Sequence, residues 1–91
     1  MRDLHLNLKR EYFDAIKNGT KEFEYRLTTH RWAQIIAGKQ FRNVLIKCGY
    51  PARDDAENIL VLPWRGYEVQ TITHPHFGPD PVQVFAIRVQ P

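Results

Sequence analysis

The sequence predicts a single small α+β domain, with about five to six mostly antiparallel strands forming a barrel-like sheet and two short helices packed at its openings. Three observations predict it. Leu4, Leu6 and Leu8 alternate with His5, Asn7 and Lys9, and the period changes to a helical one at Arg10. Two glycine stops, Asn18-Gly19 and Gly38, close two short helical stretches. The second half then reads almost wholly as strands, and this segregation argues against a doubly wound parallel sheet.

The elements follow in order. A first strand around residues 4–8 leads to a helix with Tyr12, Phe13 and Ile16 on one face. GTKEFEYRL returns to alternation, with Phe23, Tyr25 and Leu27 as the core-forming face and Glu22, Glu24 and Arg26 as the polar one. Thr28 or Thr29 caps a second helix through Trp32, Ile35 and Ile36. Val44, Ile46 and Cys48 mark the next strand, and Ile59 to Leu62 a short apolar one broken by Pro63. A bend at Pro63–Tyr67 precedes a strand from Glu68 to Thr73. HPHFGPDP is an irregular loop, and Val82 to Val89 is the last strand.

Composition sets the bounds. Residues 1–91 make one domain, 43% hydrophobic and 25% charged, as in ordinary soluble proteins. No apolar run is long enough for a membrane-spanning helix, so no membrane partner is expected. The charged amino terminus lacks the apolar stretch of a signal peptide, and one cysteine forms no internal disulfide; a cytoplasmic setting is expected. The net charge is +3, and an acidic corner at Asp54, Asp55 and Glu57 leaves the rest more basic still. A polyanionic partner is compatible with this balance.

Lys21, Glu24 and Arg26 form the first candidate site. Arginine offers a planar fork of donors and lysine a compact charge, both suited to phosphate, while a glutamate between them can fix both or read a polar base edge. The plain alternative is a surface ion-pair set. Pro63-Trp64-Arg65-Gly66-Tyr67 is the second. Its aromatics and cation suit single-stranded RNA, with Trp64 stacking on a base and Arg65 on phosphate, although Trp64 or Tyr67 could equally plug one end of the sheet. His74 and His76 lack the further ligands of a closed zinc site, so no metal is expected; His76 or Phe77 could touch a ligand from a loop beside the cleft. Cys48 reads as a small core residue.

The pattern Gly19-x-Lys21-x-x-Glu24-x-Arg26, after a helix and opening a strand, resembles the signature of the ASCH domain family. The carboxy-terminal half, with CGYP, PWRGY and VQVFAIRV, is similar to small bacterial stand-alone ASCH proteins, so the resemblance covers nearly the whole chain. It implies a PUA-like β-barrel whose signature strand lines a cleft between helices and barrel, and an RNA-binding or nucleotide-handling role. Phosphate-loop and dinucleotide fingerprints are absent, so no cofactor is expected. Some family members are enzymes. One group removes an acyl group from modified cytidine with a lysine and a threonine of the signature strand and a later glutamate; others are reported to cut RNA. Lys21 matches that lysine, but Glu24 stands where the threonine nucleophile would be, and Glu68 is the only late glutamate.

The expectation is therefore an RNA- or nucleotide-binding module whose ligand meets Lys21, Glu24, Arg26, Trp64, Arg65 and Tyr67. The alternative is a hydrolase of RNA or a modified nucleoside in the same cleft, with Lys21 and Glu24 catalytic. In that case Lys21 needs a depressed pKa to act as a base, whereas the carboxylate beside it should keep it protonated. A monomer is the simplest expectation for the assembly.

Overall fold

The computed structural model describes residues 1–90. Its strands are β1 (Leu4–Leu8), β2 (Phe23–Leu27), β3 (Asn43–Cys48), β4 (Ile59–Pro63), β5 (Tyr67–Ile72) and β6 (Val82–Arg88), with helices α1 (Arg10–Lys17) and α2 (His30–Ile36). Two short 3₁₀ turns, Ala56–Asn58 and Pro75–Phe77, sit in the connections. The α+β class, two helices and six strands agree with the sequence. The closed barrel does not: the strands pair as two separate three-stranded sheets, ordered β1-β3-β4 and β2-β6-β5.

In the first sheet β1 runs parallel to β3, with Leu4 opposite Val44 and Leu8 opposite Cys48. The connection between them carries α1, β2 and α2, and β2 is given to the other sheet. β4 pairs antiparallel on the far side of β3 and ends at Pro63, on an outer strand where the missing N–H costs no central pairing. In the second sheet β6 is central and antiparallel to both neighbours. Val84, Phe85, Ala86 and Ile87 are all buried, as a central strand's two covered faces require.

The core lies between the sheets under the two helices. Leu4, Leu6 and Leu8 of β1, Val44 and Ile46 of β3, and Phe85 and Ile87 of β6 meet Phe13 and Ile16 of α1 and Ile36 of α2. Burying each large apolar side chain contributes about 1.5–3 kcal/mol relative to exposure. Trp64 and Tyr67 pack against this core, Trp64 edge-on to Phe41 at 4.9 Å and Tyr67 edge-on to Phe85 at 5.4 Å.

Both helices end where the sequence indicates. At α1, Gly19 takes φ +83° and its N–H donates to the Ile16 carbonyl, while the Thr20 N–H donates to the Ala15 carbonyl. These are the two bonds of a Schellman cap. The Lys21 N–H also donates to the Ala15 carbonyl, so the cap fixes where β2 begins. At α2, the Thr29 hydroxyl accepts from the Trp32 N–H at 3.2 Å.

Nothing crowds a Cβ at Gly19, so Gly19→Ala meets only the left-handed backbone penalty. The expected loss is about 1–2 kcal/mol in urea unfolding, with an unchanged m-value. An unchanged midpoint contradicts this account of the α1–β2 turn.

Candidate functional site

Strand register decides which way the signature residues face. Glu24 pairs with Ile87 and Arg26 with Phe85, and residues directly opposite on paired strands share a face. Ile87 and Phe85 belong to the core between the sheets. Glu24 and Arg26 therefore point inward, and Glu24 is the one charged residue among the described residues that is buried, at 5% exposure. Phe23, Tyr25 and Leu27, expected to form the core face, lie half-buried on the opposite side with Val84 and Ala86. The strand alternates as expected, but its polar face and not its apolar one turns toward the core. Two cations, Lys21 and Arg26, compensate Glu24, so an inward charged face stands where an apolar one was expected.

The compensation is specific. Arg26 Nη1 lies 2.7 Å from Glu24 Oε2, and Lys21 Nζ lies 3.5 Å from Glu24 Oε1. Arg26 Nη2 donates at 3.0 Å to the carbonyl of Asn7 on β1. β1 and β2 are outer strands of different sheets, so this guanidinium bridges the seam that a closed barrel would zip with backbone pairs. The Arg26 guanidinium carbon also lies 5.2 Å from the ring centroid of Trp32 on α2. Its Nε is buried without a hydrogen-bond partner.

Lys21 is held from both ends. Its backbone is pinned by the α1 cap; its Nζ donates to the Phe23 carbonyl and sits 4.5 Å from the Tyr25 ring centroid and 5.8 Å from that of Tyr12. Burial is the largest influence on this ammonium and lowers its pKa; Glu24 raises it in part, and Arg26 lowers it further. The carboxylate of Glu24 does favour the charged form, but burial outweighs it, so the net direction is downward. Because folding disfavours the protonated form, Lys21 costs stability below its lowered pKa, and the cost fades as pH rises toward the unfolded value.

These three residues line a cavity of 420 Å³ along the free edge of β2, between it, the end of β1 and the start of α1. That volume falls within the roughly 300–1,000 Å³ usual for small-molecule sites. The rest of the wall is largely aromatic: Tyr12, Tyr25, His74, His76 and Phe77. His74 lies 5.9 Å from Tyr12 and 6.3 Å from Tyr25, and His76 lies edge-on to Tyr12 and to Phe77 at 5.9 and 5.1 Å. The turn that presents the histidines is capped locally, with His74 Nδ1 accepting from the His76 N–H. Burial and then the charges of Glu11 and Glu24 push the Tyr12 phenol up; burial and then Glu22 and Glu24 do the same for Tyr25, so both stay neutral donors.

Of the residues singled out by sequence, Lys21, Glu24 and Arg26 come together and Trp64, Arg65 and Tyr67 do not join them. The latter flank a separate depression with Lys39, Gln40 and Gly66, in which Tyr67 Oη accepts from the Gly38 N–H at 3.0 Å. Sequence reasoning placed His76 and Phe77 beside the cleft but missed Tyr12, assigned to the core face of α1, and Tyr25, assigned to the core face of β2. A phenol on a core face needs a partner for its hydroxyl, and that requirement was the available signal. Among the described residues no group of three or more His, Cys, Asp or Glu gathers as a metal site, and no helix is long and apolar enough to cross a membrane. Comparison with protein families, curated proteins and solved structures matches this chain to none.

The ammonium resonances of Lys21 should titrate below those of the other lysines in heteronuclear NMR, and Glu24→Gln, by removing the charge that raises Lys21, should lower its titration further. Co-titration of Lys21 with the exposed lysines contradicts the burial argument.

Proposed function

We propose that the protein is an RNA- or nucleotide-binding module of the ASCH type, whose ligand places a base in the aromatic cavity above Lys21, Glu24 and Arg26. One observation carries this reading: an inward Glu24, clamped by a lysine and an arginine, floors a cavity whose walls are rings. Rings favour a planar heterocycle by stacking, and the two cations favour phosphate. The same three residues, with Gly19, are the fixed positions of the ASCH-like pattern, so the family likeness and the cavity support each other. The six strands and two helices suit a PUA-like relative in which Arg26, rather than backbone pairing, joins the sheet edges. A cytoplasmic setting belongs to this proposal and is supported by the single cysteine.

Binding of labelled single-stranded RNA, followed by anisotropy at several salt concentrations, tests it. Lys21→Ala/Arg26→Ala, with its fold checked by circular dichroism, should lose on the order of a hundredfold in affinity, as expected for two charged contacts. Arg65→Ala should bind as wild type does. Equal binding by wild type and the double variant, or a loss confined to Arg65→Ala, overturns the reading.

The lowered pKa of Lys21 favours a second reading, hydrolysis of RNA or an acylated nucleoside with Lys21 as general base and Glu24 orienting it. Activity should then rise with pH through the Lys21 titration and vanish in Lys21→Ala. For simple binding the sign is opposite: the charge of Lys21 is lost as pH rises, so affinity falls on the alkaline side, and Lys21→Arg removes that fall. An affinity fall shared by Lys21→Arg assigns the dependence to another group.

A further inference from the structure

The cavity does not end at Arg26. A second hollow, of 720 Å³, continues beyond it and shares Asn7, Tyr25, Arg26, Tyr50, His76 and Phe77 with the first. Its outer wall comes from the amino-terminal segment and from α2, with Arg2 on one side and Arg31 and Trp32 on the other. Arg26 therefore stands as a ridge between two lobes of one cleft. The Trp32 ring that packs against its guanidinium borders the outer lobe.

Charge is partitioned in the same way. The two lobes together hold five of the protein's 13 basic residues, Arg2, Lys9, Lys21, Arg26 and Arg31, and two of its 10 acidic ones, Asp3 and Glu24. The cleft walls thus carry +3, the whole formal net charge, because the remaining eight basic and eight acidic residues cancel. Both acids in the cleft are already engaged, Glu24 by Lys21 and Arg26, and Asp3 by Arg42 at 3.4 Å. Arg2 and Arg31 have no side-chain ion pair or hydrogen bond among the described residues and are exposed. At the mouth common to both lobes, Tyr50 is 93% exposed, a large ring held out to solvent directly after Gly49.

We infer that the two lobes are consecutive subsites for a single strand of RNA. The inner lobe takes one base, Arg26 meets the phosphodiester at the ridge, and the outer lobe takes the following nucleotide, with Arg2 and Arg31 on its phosphate and Tyr50 stacking at the mouth. This inference rests on the base-binding reading of the inner lobe and adds the class of ligand, an oligonucleotide rather than a free nucleoside or mononucleotide. An unpaired strand is required because stacking in either lobe needs exposed base faces. A duplex presents only its backbone to such a cleft. The polyanionic backbone is the feature that matches a +3 wall extending past the base pocket.

Calorimetry with a nucleoside monophosphate, a dinucleotide and a hexanucleotide of RNA tests the inference on wild type, Arg2→Ala/Arg31→Ala, Tyr50→Ala and Lys21→Ala/Arg26→Ala. Affinity should rise from monophosphate to dinucleotide. Arg2→Ala/Arg31→Ala should weaken the hexanucleotide on the order of tenfold and reduce the slope of log affinity against log salt by about 0.7, for the one phosphate the two arginines share. Tyr50→Ala should lose about tenfold for the longer ligands. Arg2→Ala/Arg31→Ala should leave the monophosphate unchanged, since these side chains stand beyond the ridge. A dinucleotide bound no tighter than the monophosphate overturns the two-subsite inference while leaving the base pocket intact. Equal weakening of all ligands by Arg2→Ala/Arg31→Ala also overturns it, because it assigns these arginines a general field rather than a subsite. Displacement of the hexanucleotide by an acidic peptide at equal charge concentration does the same, because it makes the cleft a general polyanion site. Indifference of every ligand to Lys21→Ala/Arg26→Ala removes the base pocket itself.

Discussion

The carboxylate of Glu24, enclosed between the Lys21 ammonium and the Arg26 guanidinium, is the interaction on which the cleft depends. A buried ion is tolerated only when its partners are held in good geometry, and removing one partner from such a set costs roughly 3–5 kcal/mol. Here both partners are also anchored elsewhere. Arg26 reaches the Asn7 carbonyl across the seam between the sheets, and Lys21 is fixed by the α1 cap and by the carbonyl of Phe23. The same charges that cost desolvation therefore substitute for the strand pairing that would have closed a barrel. They leave an open edge on β2, and the open edge is the cavity.

This arrangement connects local sequence to chemistry in few steps. Gly19 permits the left-handed turn that ends α1, and the turn fixes the start of β2. Register with β6 then sends Glu24 and Arg26 inward and Tyr25 outward, so the edge of the strand presents ring and charge together. α1 contributes Tyr12 from its first turns, because the face that buries Phe13 and Ile16 leaves the neighbouring position at the cavity wall. On the proposed reading, this site stacks a planar group and pairs with an anion.

Much of this was legible in the residues, for definable reasons. The alternation in β1, the glycine after α1, the Thr29 cap and the strand-rich second half are local signals, and each element forms where they indicate. The direction of β2 was not legible. Its alternation fixes two faces but not which one meets the core, and hydropathy favours Phe23, Tyr25 and Leu27 over a buried Glu24. The inverted choice is stabilised by Lys21 and Arg26 on the Glu24 carboxylate and by the Asn7 carbonyl, on another strand, which accepts from Arg26. Trp64 and Tyr67 were ambiguous between ligand platform and core plug; Phe41 and Phe85, far away in sequence, decide for packing. The aromatic wall likewise joins α1, β2 and the 74–77 turn, which no short motif spans.

The most direct measurement is a chemical-shift titration of the isotopically labelled protein with an RNA nucleoside monophosphate. If the inward Glu24 knot organises the ligand site, amide resonances from Lys21 to Arg26, around Tyr12 and across His74 to Phe77 should move together and saturate with one affinity, while Trp64 to Tyr67 remain still. Saturable shifts centred on Trp64 to Tyr67, or a ligand response that leaves Lys21 to Arg26 unmoved, would contradict the account.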